Sequence, residues 1–294
     1  METKDSFKIL VVSDIHDSIE NIKIIVDKVK DMKFDYIFDC GDTVDVPVNK
    51  NDDPEVCKEY IIKLKDIHEE LRKLAPVIWV PGNHEPGIYF KDSVPEGENA
   101  LTNTENLHKK FKKLDNNLYI VGQGGSVPIM TGRQFKFDVV LFKELNLDKD
   151  FKYSGYPYKS TPNDYSKSDD LFLQDLNQTI EKAKKEGGEN VQILFLTHLG
   201  PLYTPTNTIV ESGEILYLGS KNLGKTFFKE ENGFLIVHGH SHTAEGYLTL
   251  NTHNRTDKHV FNPGSVRDGH YGILEIKKDK NGKWGVGSCT VAYL

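Results

Sequence analysis

Side chains of the types that bind metals follow five apolar runs of this chain. The runs end in the short sequences SDIHD, CGDTVD, PGNHE, THLGP and HGHSH. Asp and His are common turn residues, so one such sequence by itself predicts little. Because ligand crevices form outside the carboxyl ends of the strands in α/β sheets, we expect the five sequences to share one edge. The side chains that they bring there are Asp14, His16, Asp42, Asn83, His198, His240 and His242.

This donor set contains carboxylate, amide and imidazole groups and no thiolate. It favours Mn, Fe or Zn over Cu(I) or an iron–sulfur cluster. Seven donors are too many for one ion, but they suffice for two ions that share a carboxylate. Two ions about 3.5–4 Å apart activate a bridging water and clamp the oxygens of an in-line displacement. Asp14 and His16 stand two residues apart and project the same way, so both can contact one ion.

The charge of the chain indicates what such ions would add. The net charge is −7, and the acidic residues are spread along the sequence. Two divalent ions bring about +4 charges against two carboxylates and a hydroxide, which leaves about +1 at the site to attract a phosphate. The short basic cluster HKKFKK at 108–113 predicts a solvated helix face rather than a nucleic-acid surface.

Composition indicates a globular protein. Of the 294 residues, 37% are hydrophobic and 10% are aromatic, which suffices for one large α/β domain or two smaller ones. No apolar run approaches the roughly 18–20 residues of a membrane span, and no signal-type segment is visible. Cys40, Cys57 and Cys289 are odd in number and form no CxxC pair. We therefore expect a reduced, cytoplasmic protein.

The N-terminal part of the chain alternates between strand and helix patterns. Residues 7–12 and the runs DYIFDCGD and VIWVPGNHE predict strands that end in turns. Apolar residues recur at helical spacing between Ile19 and Val29 and again over 54–74. This order predicts right-handed βαβ units and a parallel sheet. No repeat or domain boundary is visible, so we expect a single domain over 1–294.

The middle of the chain has a different composition. Residues 124–167 are rich in Gly, Lys, Tyr and Pro, with one further strand pattern, FKFDVVLF. A long irregular stretch inside a domain is often a binding loop. We therefore expect a substrate-loop insertion there, in which YSGYPY at 153–158 forms an aromatic wall. Helix patterns return over 168–186 and 220–231, and strand patterns dominate from residue 243 onward.

Together, the sequences DIH, GD, GNHE, THLGP and GHSH resemble the five motifs of the calcineurin-like metallophosphoesterases in order and spacing. NPGSVR at 262–267 resembles a segment that many bacterial and archaeal members carry beside the site. The match covers most of the chain and leaves 86–190 largely unaccounted for. The resemblance implies a four-layer α/β/β/α sandwich, in which two mixed β-sheets lie face to face with helices outside.

The resemblance also implies roles for the motif residues. His84 would bind no metal and would lie beside the leaving group, where it donates a proton or stabilises developing charge. Asp45 occupies the position of the acid that orients this histidine in the protein-phosphatase branch. The cofactors would be two divalent ions, Mn²⁺ first, with Fe or Zn as alternatives. The first ion would have the ligands Asp14, His16, Asp42 and His242, and the second would share Asp42 and add Asn83, His198 and His240.

One position departs from the protein-phosphatase branch. That branch reads Gly-Asp-x-Val-Asp-Arg-Gly, and its Arg binds the substrate phosphate. This chain reads GDTVDVP, with Val46 at the Arg position, and no basic residue follows GNHE. It is therefore more similar to the small Icc-like phosphoesterases. Arg267 in NPGSVR is a candidate to reach into the site and compensate.

A second motif competes for the phosphate site. GSKNLGKT at 219–226 matches the P-loop pattern, which would make Lys225 and Thr226 phosphate and magnesium ligands. However, the next apolar strand ends in His, where a Walker B strand would supply Asp. The motif also lies between two members of the metal set. We interpret Ser220 as a helix cap instead.

The expected function is hydrolysis of a phosphodiester, a nucleotide-like ester or another small phosphate ester by a metal-bridging hydroxide, with assistance from His84. Two alternatives are a protein Ser/Thr phosphatase and a non-catalytic interaction scaffold of the same fold. The scaffold interpretation conflicts with the presence of His84 and of every ligand. The expected partner is a small phosphate ester, not a membrane or a nucleic acid, and specificity is expected to lie in 86–165.

Overall fold

The computed structural model describes residues 4–47, 50–91, 104–128, 130–134, 140–143, 156–158, 165–188, 190–211, 214–250 and 257–294. Two six-stranded sheets, one four-stranded sheet and four α-helices form within these residues. None of these helices combines the length and the apolar character that crossing a membrane requires.

The first six-stranded sheet contains the predicted N-terminal strands. Its strands in spatial order are β16 (Trp284–Tyr293), β15 (His270–Lys278), β1 (Ser6–Val12), β2 (Tyr36–Asp39), β3 (Val77–Trp79) and β4 (Thr104–Asn106). The strands β1 to β4 are parallel, whereas β15 and β16 are antiparallel to their neighbours. The segments that follow β1, β2 and β3 therefore leave the sheet at the same edge.

The second six-stranded sheet has the same mixed character. Its strands in spatial order are β13 (Gly246–Leu250), β14 (Lys258–Asn262), β12 (Gly233–Val237), β9 (Gln192–Thr197), β6 (Leu118–Gln123) and β5 (Lys110–Asp115). The four inner strands are parallel, and both edge strands are antiparallel. THLGP and HGHSH follow neighbouring inner strands, so both emerge at one edge of this sheet.

Inner strands of both sheets are buried on two faces, as β1 illustrates. Ile9 and Val11 belong to an apolar core that contains residues of both sheets, whereas Leu10 and Val12 pack in a second core beneath two helices. A third core lies between the second sheet and the other two helices. The helices are α1 (Ile19–Val29), α2 (Pro54–Arg72), α3 (Tyr165–Gly187) and α4 (Lys221–Lys229). The predicted four-layer sandwich is confirmed.

Capping residues explain where two of the helices begin. The Asp53 side chain accepts hydrogen bonds from the backbone N–H groups of Glu55 and Val56, and proline occupies the first helical position of α2. The Ser220 hydroxyl accepts a hydrogen bond from the Leu223 N–H at 2.9 Å. This bond confirms the helix-cap interpretation within the P-loop-like sequence, where Lys225 lies on an exposed face of α4.

A four-stranded sheet was not expected. It combines two hairpins from distant parts of the chain, and its strands in spatial order are β10 (Thr208–Glu211), β11 (Glu214–Tyr217), β7 (Met130–Gln134) and β8 (Val140–Lys143). The predicted strand FKFDVVLF overlaps β8, and its first residues, 135–139, lie outside the described residues. The pairing of β7 with β11 was not predictable because the two strands lie far apart in sequence.

The interpretation of 108–113 as a helix face is wrong. Residues from Lys110 onward form the edge strand β5, which pairs with β6 through a two-residue Asn116–Asn117 connection. The Asn-Asn pair is a hairpin signal that outweighs the helical tendency of the lysines. Phe111 packs against Tyr119 with 6.0 Å between ring centroids, which fits the period-2 alternation of a strand.

Candidate active site

A cavity of about 470 Å³ opens at the edge where the motif segments emerge. Its lining includes six of the eight residues predicted to form the site, namely His16, Asp42, Asn83, His84, His240 and His242. The other two, Asp14 and His198, are fully buried. A larger cavity of about 640 Å³ lies beside the opposite ends of β2 and β3 and contains none of the eight.

Asp14, His16 and His242 form the first group of potential ligands. Asp14 Oδ2 accepts hydrogen bonds from the Ser13 hydroxyl at 2.6 Å and from the His240 N–H at 2.9 Å. Its other oxygen, Oδ1, lies 3.1 Å from His242 Nε2. The Nε2 atom of His16 lies 3.1 Å from the same nitrogen of His242, so one carboxylate oxygen and two ring nitrogens converge.

Asp42, His198 and His240 form the second group. His198 Nδ1 donates a hydrogen bond to the Cys40 carbonyl at 2.8 Å, so the lone pair of this ring in its neutral form is on Nε2. That Nε2 atom lies 3.1 Å from His240 Nδ1, 3.1 Å from Asn83 Oδ1 and 3.4 Å from Asp42 Oδ2. A second set of nitrogen and oxygen donors therefore surrounds one point.

Asp42 lies between the two groups. Its Oδ1 atom accepts a hydrogen bond from the His84 N–H at 2.8 Å, which orients the carboxylate. Its Oδ2 atom lies 3.4 Å from His198 Nε2 and 3.9 Å from His16 Nε2. One oxygen of Asp42 is thus close to a nitrogen of each group.

The donors fit divalent cations. Two pairs of imidazole nitrogens face each other at 3.1 Å, and neutral rings that both offer lone pairs would repel without a cation or proton between them. Asp14 Oδ1 is buried without a hydrogen bond among the described residues, although His242 Nε2 lies 3.1 Å from it. The donor set of nitrogen and oxygen atoms is the one that Mn, Fe and Zn accept.

The electrostatics of the second group agree with this fit. Burial opposes the charged form of His198, but the Asp42 carboxylate outweighs it and raises the pKa of His198 to about 9. Burial, together with the charge of His198, lowers the pKa of His240 to about 3. The Asp42 carboxylate thus favours positive charge at this group of donors, which is what a bound cation would supply.

A third group consists of His16, Asp45 and His84. Asp45 Oδ1 lies 2.8 Å from His84 Nδ1 and 3.4 Å from His16 Nδ1. These two histidines hold the pKa of Asp45 well below its ordinary value through hydrogen bonds and charge. Burial disfavours the charged form of His84, but Asp42 and Asp45 raise its pKa to about 9. Both carboxylates therefore favour the protonated form of His84.

The site backbone adopts conformations that are uncommon for residues with a side chain. Asp14, His16, Asp42 and His240 all have positive φ angles, of 51°, 47°, 53° and 68°. Non-glycine residues rarely adopt this region, and such strain clusters at functional sites. The sharp turns direct these side chains toward the two groups of donors directly after their strands end.

The loops after β2 and β3 approach each other through two glycines. Gly41 has a φ of +95°, and a Cβ on it would overlap the backbone of Gly82. A Cβ on Gly82 would overlap the Asp42 side chain in turn. The Gly in each of the sequences CGD and PGNH therefore permits the close approach that brings Asp42 beside Asn83.

Sequence reasoning missed Glu85, which braces these loops. Its carboxylate is fully buried and accepts hydrogen bonds from the backbone N–H groups of Asp42 and Thr43, at 3.0 and 2.6 Å, and from that of Gly82. Burial and the charge of Asp42 raise the pKa of Glu85 to about 8. The signal was available, because Glu85 directly follows the Asn-His pair of its motif.

A second bracing network lies beneath the loop after β2. The buried Asp39 carboxylate accepts hydrogen bonds from the Thr43 hydroxyl at 2.7 Å and the Gly41 N–H at 2.9 Å. His68 on α2 contacts the same carboxylate at 2.9 Å. No motif contains His68, so only the tertiary structure shows that α2 supports this loop.

The predicted aromatic wall does not line the cavity in the described part of 153–158. Tyr156 and Tyr158 are buried and donate their hydroxyl hydrogens to Asp52 and Asp175, at 2.8 and 2.9 Å. Residues 153–155 lie outside the described residues.

Two further positions concern phosphate recognition. Val46 is fully buried, so this position presents no cation to the cavity. Arg267 lines the cavity, and its Nη2 atom lies 3.2 Å from His242 Nδ1. A guanidinium therefore reaches the site from the NPGSVR segment, as the sequence suggested.

Several solved structures resemble the whole chain. Protein TT1561 of Thermus thermophilus is 16% identical with a TM-score of 0.51, covering 96% of this chain and 98% of its own. A dimetal phosphatase from Danio rerio is 13% identical with a TM-score of 0.51, over 98% of both chains. The Haemophilus influenzae NAD nucleotidase is 13% identical with a TM-score of 0.53, over 98% of this chain and 50% of its own.

At these identities the likeness establishes the fold and no more. No curated protein sequence matches the chain. The sequence model of the calcineurin-like phosphoesterase family matches residues 7–244, a span that contains both six-stranded sheets in large part and all eight predicted site residues. The chain therefore belongs to the calcineurin-like phosphoesterase family.

Proposed function

We propose that this protein is a dinuclear metal-dependent phosphoesterase that hydrolyses a phosphodiester, a nucleotide-like ester or another small phosphate ester. The observation that carries the proposal is the position of Asp42. Its Oδ2 atom lies within 3.4 Å of His198 Nε2 and 3.9 Å of His16 Nε2, so a ligand of each group is near the same oxygen. A carboxylate oxygen in this position would serve as a ligand shared by two adjacent ions.

With two ions bound, each ion would have the set of ligands that the motifs imply. Mn²⁺ is our first choice for both ions, with Fe and Zn as alternatives, because the donors are nitrogen and oxygen. When bound, two divalent ions supply a nucleophilic hydroxide near neutral pH and neutralise charge on the phosphate. We assign Asp14, His16, Asp42 and His242 to the first ion, and Asp42, Asn83, His198 and His240 to the second.

His84 is the proposed proton donor. It lies at the cavity without an assigned ion, and Asp45 contacts its Nδ1 atom at 2.8 Å, which directs Nε2 away from that carboxylate. An imidazolium in this position can give its Nε2 proton to the leaving oxygen of the ester. Asp45 acts through His84 as a positioning residue.

The names of the structural relatives support the substrate class. A nucleotidase and a dimetal phosphatase share this fold, and both names refer to phosphate esters. Our proposal treats 1–294 as one catalytic domain that acts on a small molecule in the cytoplasm. The three cysteines are unpaired in the structure, which is consistent with a reducing compartment.

A metal-by-substrate screen tests the proposal. The purified protein is freed of metal, loaded separately with Mn²⁺, Fe²⁺ or Zn²⁺, and incubated with aryl monoesters, aryl diesters and nucleotides. We expect hydrolysis that depends on added metal, at about two ions per chain. Tight binding of two ions without turnover of any ester would favour the scaffold interpretation, and the absence of metal binding would contradict both.

A further inference from the structure

The cavity at the site has two chemically different walls. One contains five of the predicted ligands together with His84 and Asp45, and the other is formed by Ile209, Val210, Leu216 and Leu218. We name this second set the aliphatic wall. It belongs to β10, β11 and the residue after β11, so the sheet that the sequence did not predict supplies one side of the site.

Pairing across the hairpin holds the wall in place. Ile209 is the cross-strand partner of Leu216, and Leu218 lies two residues further along on the same side of the ribbon. Leu216 and Leu218 are buried and form a small apolar cluster against which Ile209 packs. This cluster is separate from the three large cores, so it is not simply part of the interior of the fold.

Val210 lies at the rim of the cavity. It directly follows Ile209 on β10, so the two side chains point to opposite faces of the ribbon, and 74% of Val210 is exposed. Ile209 is half-buried, packs on the small cluster and lines the cavity. Binding pockets combine apolar walls with a few placed polar groups in this way.

We propose that the aliphatic wall binds an apolar substituent of the phosphate ester, an alkyl or aryl group, while Arg267 contacts a phosphate oxygen. The proposal rests on the proposed function and specifies its substrate class. Arg267 is the sole Lys or Arg side chain among the described residues that line the cavity. A guanidinium and a phosphate oxygen form strong charge-assisted hydrogen bonds.

Arg267 is placed at the edge of the cavity. Its Nη2 atom lies 3.2 Å from His242 Nδ1, so the guanidinium stands beside the first group of ligands. A phosphate oxygen bound at those ligands would lie near this guanidinium.

A polar substituent would be a poor match to the wall. Apart from the predicted site residues and Asp45, the described lining offers only Arg267 and the Thr243 hydroxyl as polar side chains. A nucleobase, a sugar or a peptide placed against the aliphatic wall would lose the hydrogen bonds that its polar groups make with water. The wall offers no hydrogen bonds to replace them, which makes such binding unfavourable. The wall therefore selects esters with an apolar group over nucleotides and phosphopeptides.

Alkylphosphonates test this proposal directly because they keep the anion and one alkyl group but cannot be hydrolysed. Dissociation constants of methyl-, butyl- and hexylphosphonate are measured by calorimetry with the Mn²⁺-loaded protein. Full burial of a methylene strengthens binding about fourfold, so we expect butylphosphonate to bind about tenfold or more tightly than methylphosphonate. A butyl chain with a terminal hydroxyl should lose most of this gain.

Two matched variants locate the effect. Ile209→Ser should lower the butyl-to-methyl ratio about threefold or more while leaving methylphosphonate binding unchanged. Ile62→Ser changes a residue of α2 that is exposed, at 60%, and lies outside the cavity. This control should retain the wild-type ratio. Ile209 is half-buried on an edge strand and Ile62 is exposed, so neither substitution should prevent folding.

The outcomes separate this inference from the proposed function. A dissociation constant that does not change with chain length, or a ratio unaffected by Ile209→Ser, would overturn the aliphatic-wall proposal even if esters are hydrolysed. A chain-length dependence that Ile209→Ser weakens, in a protein that hydrolyses no ester with any metal, would support the wall and contradict the proposed enzyme.

Discussion

Asp45 Oδ1 lies 2.8 Å from Nδ1 of His84, and the backbone N–H of the same histidine donates to Asp42 Oδ1 at 2.8 Å. His84 is therefore held at both its ring and its backbone by carboxylates. The loop after β2 carries both of these acids, so the proposed proton donor and the proposed bridging ligand are positioned by the same segment.

Replacing His84 with Ala should separate catalysis from metal binding. We expect kcat to fall by roughly 10²–10⁴-fold, because a positioned proton donor is lost, while the protein still binds two ions. Asp45→Asn should lower kcat by about tenfold without a matching change in KM, since Asp45 acts through His84. Steady-state kinetics and metal analysis of the same preparations provide the measurement.

Asp66→Asn on the exposed face of α2 is a suitable control and should match the wild type. Unchanged turnover in His84→Ala would remove this histidine from the mechanism.

Asp42 and His16 should differ in how many ions they affect. Asp42→Asn is expected to weaken both ions, because one Asp42 oxygen is near a nitrogen of each group. His16→Ala should weaken mainly one, since His16 converges with Asp14 and His242 only in the first group. Metal content at increasing free Mn²⁺, with His259→Ala as a histidine control outside the cavity, measures this. A single ion per wild-type chain at saturation would contradict the dinuclear assignment.

Glu85 should matter for stability as well as for activity. Its removal in Glu85→Ala leaves the buried N–H groups of Asp42 and Thr43 without their acceptor, at a cost of about 1–3 kcal/mol for each unsatisfied group. Glu85→Gln retains one acceptor oxygen and should be destabilised less. Urea unfolding of both variants, compared with Glu69→Ala on the surface of α2, provides the free energies. Wild-type stability in Glu85→Ala would show that the brace is dispensable.

The ligand positions were predictable because each follows an apolar run, and the order of strands and helices placed those run ends at one edge. The pattern predicted a parallel sheet, whereas the four layers were implied by the family resemblance. In the structure the adjacent residues Ile9 and Leu10 enter different cores. Other features of the site and the fold depend on tertiary contacts, which the sequence does not show. His68 contacts Asp39 from a helix without a motif, and β7 pairs with β11 although α3 and β9 lie between them in the sequence.

The aliphatic wall illustrates the same limit. Ile209 and Leu216 belong to short runs with no chemical signature, and the aromatic residues of 153–158 offered a more obvious wall. Tyr156 and Tyr158 were occupied elsewhere because their hydroxyls have the acceptors Asp52 and Asp175. Specificity residues of this kind are recognised only once the strands that carry them are paired.

The buried imidazole of His108 should make stability depend on pH. Burial and the nearby charges of Lys109 and Lys110 lower its pKa from 6.5 to about 3, and its Nδ1 accepts a hydrogen bond from the Gly124 N–H at 3.1 Å. The unfolded chain therefore binds a proton between pH 6.5 and 3 that the folded chain does not. Its stabilising contribution is complete above the unfolded value and is lost as the pH falls toward the folded one.

His108→Gln removes this titration. The difference in unfolding free energy between wild type and variant should change by at most about 1.4 kcal/mol per pH unit across that window, in the sense that the wild type loses more stability in acid. Urea titrations at several pH values, with His270→Gln as a control, measure the slope. Parallel curves for wild type and His108→Gln would contradict the assignment of a neutral buried ring.

The last prediction concerns which phosphate esters the enzyme prefers. A monoester dianion carries more charge than a diester, and the protein-phosphatase branch meets it with an Arg at the position of the buried Val46. Here Arg267 is the arginine that lines the cavity. One guanidinium that hydrogen-bonds to a phosphate oxygen matches the single negative charge of a diester with an apolar second group. We expect kcat/KM to be highest for an aryl diester, lower for an aryl monoester and lowest for a phosphoserine peptide under one metal condition.

Arg267→Ala should raise KM for both small esters, by about tenfold, because the contact exists in the ground state as well as the transition state. Arg267→Lys should recover only part of this loss, since an ammonium lacks the bidentate geometry of the guanidinium. Faster turnover of the phosphopeptide than of either small ester would contradict this order and favour the protein phosphatase alternative.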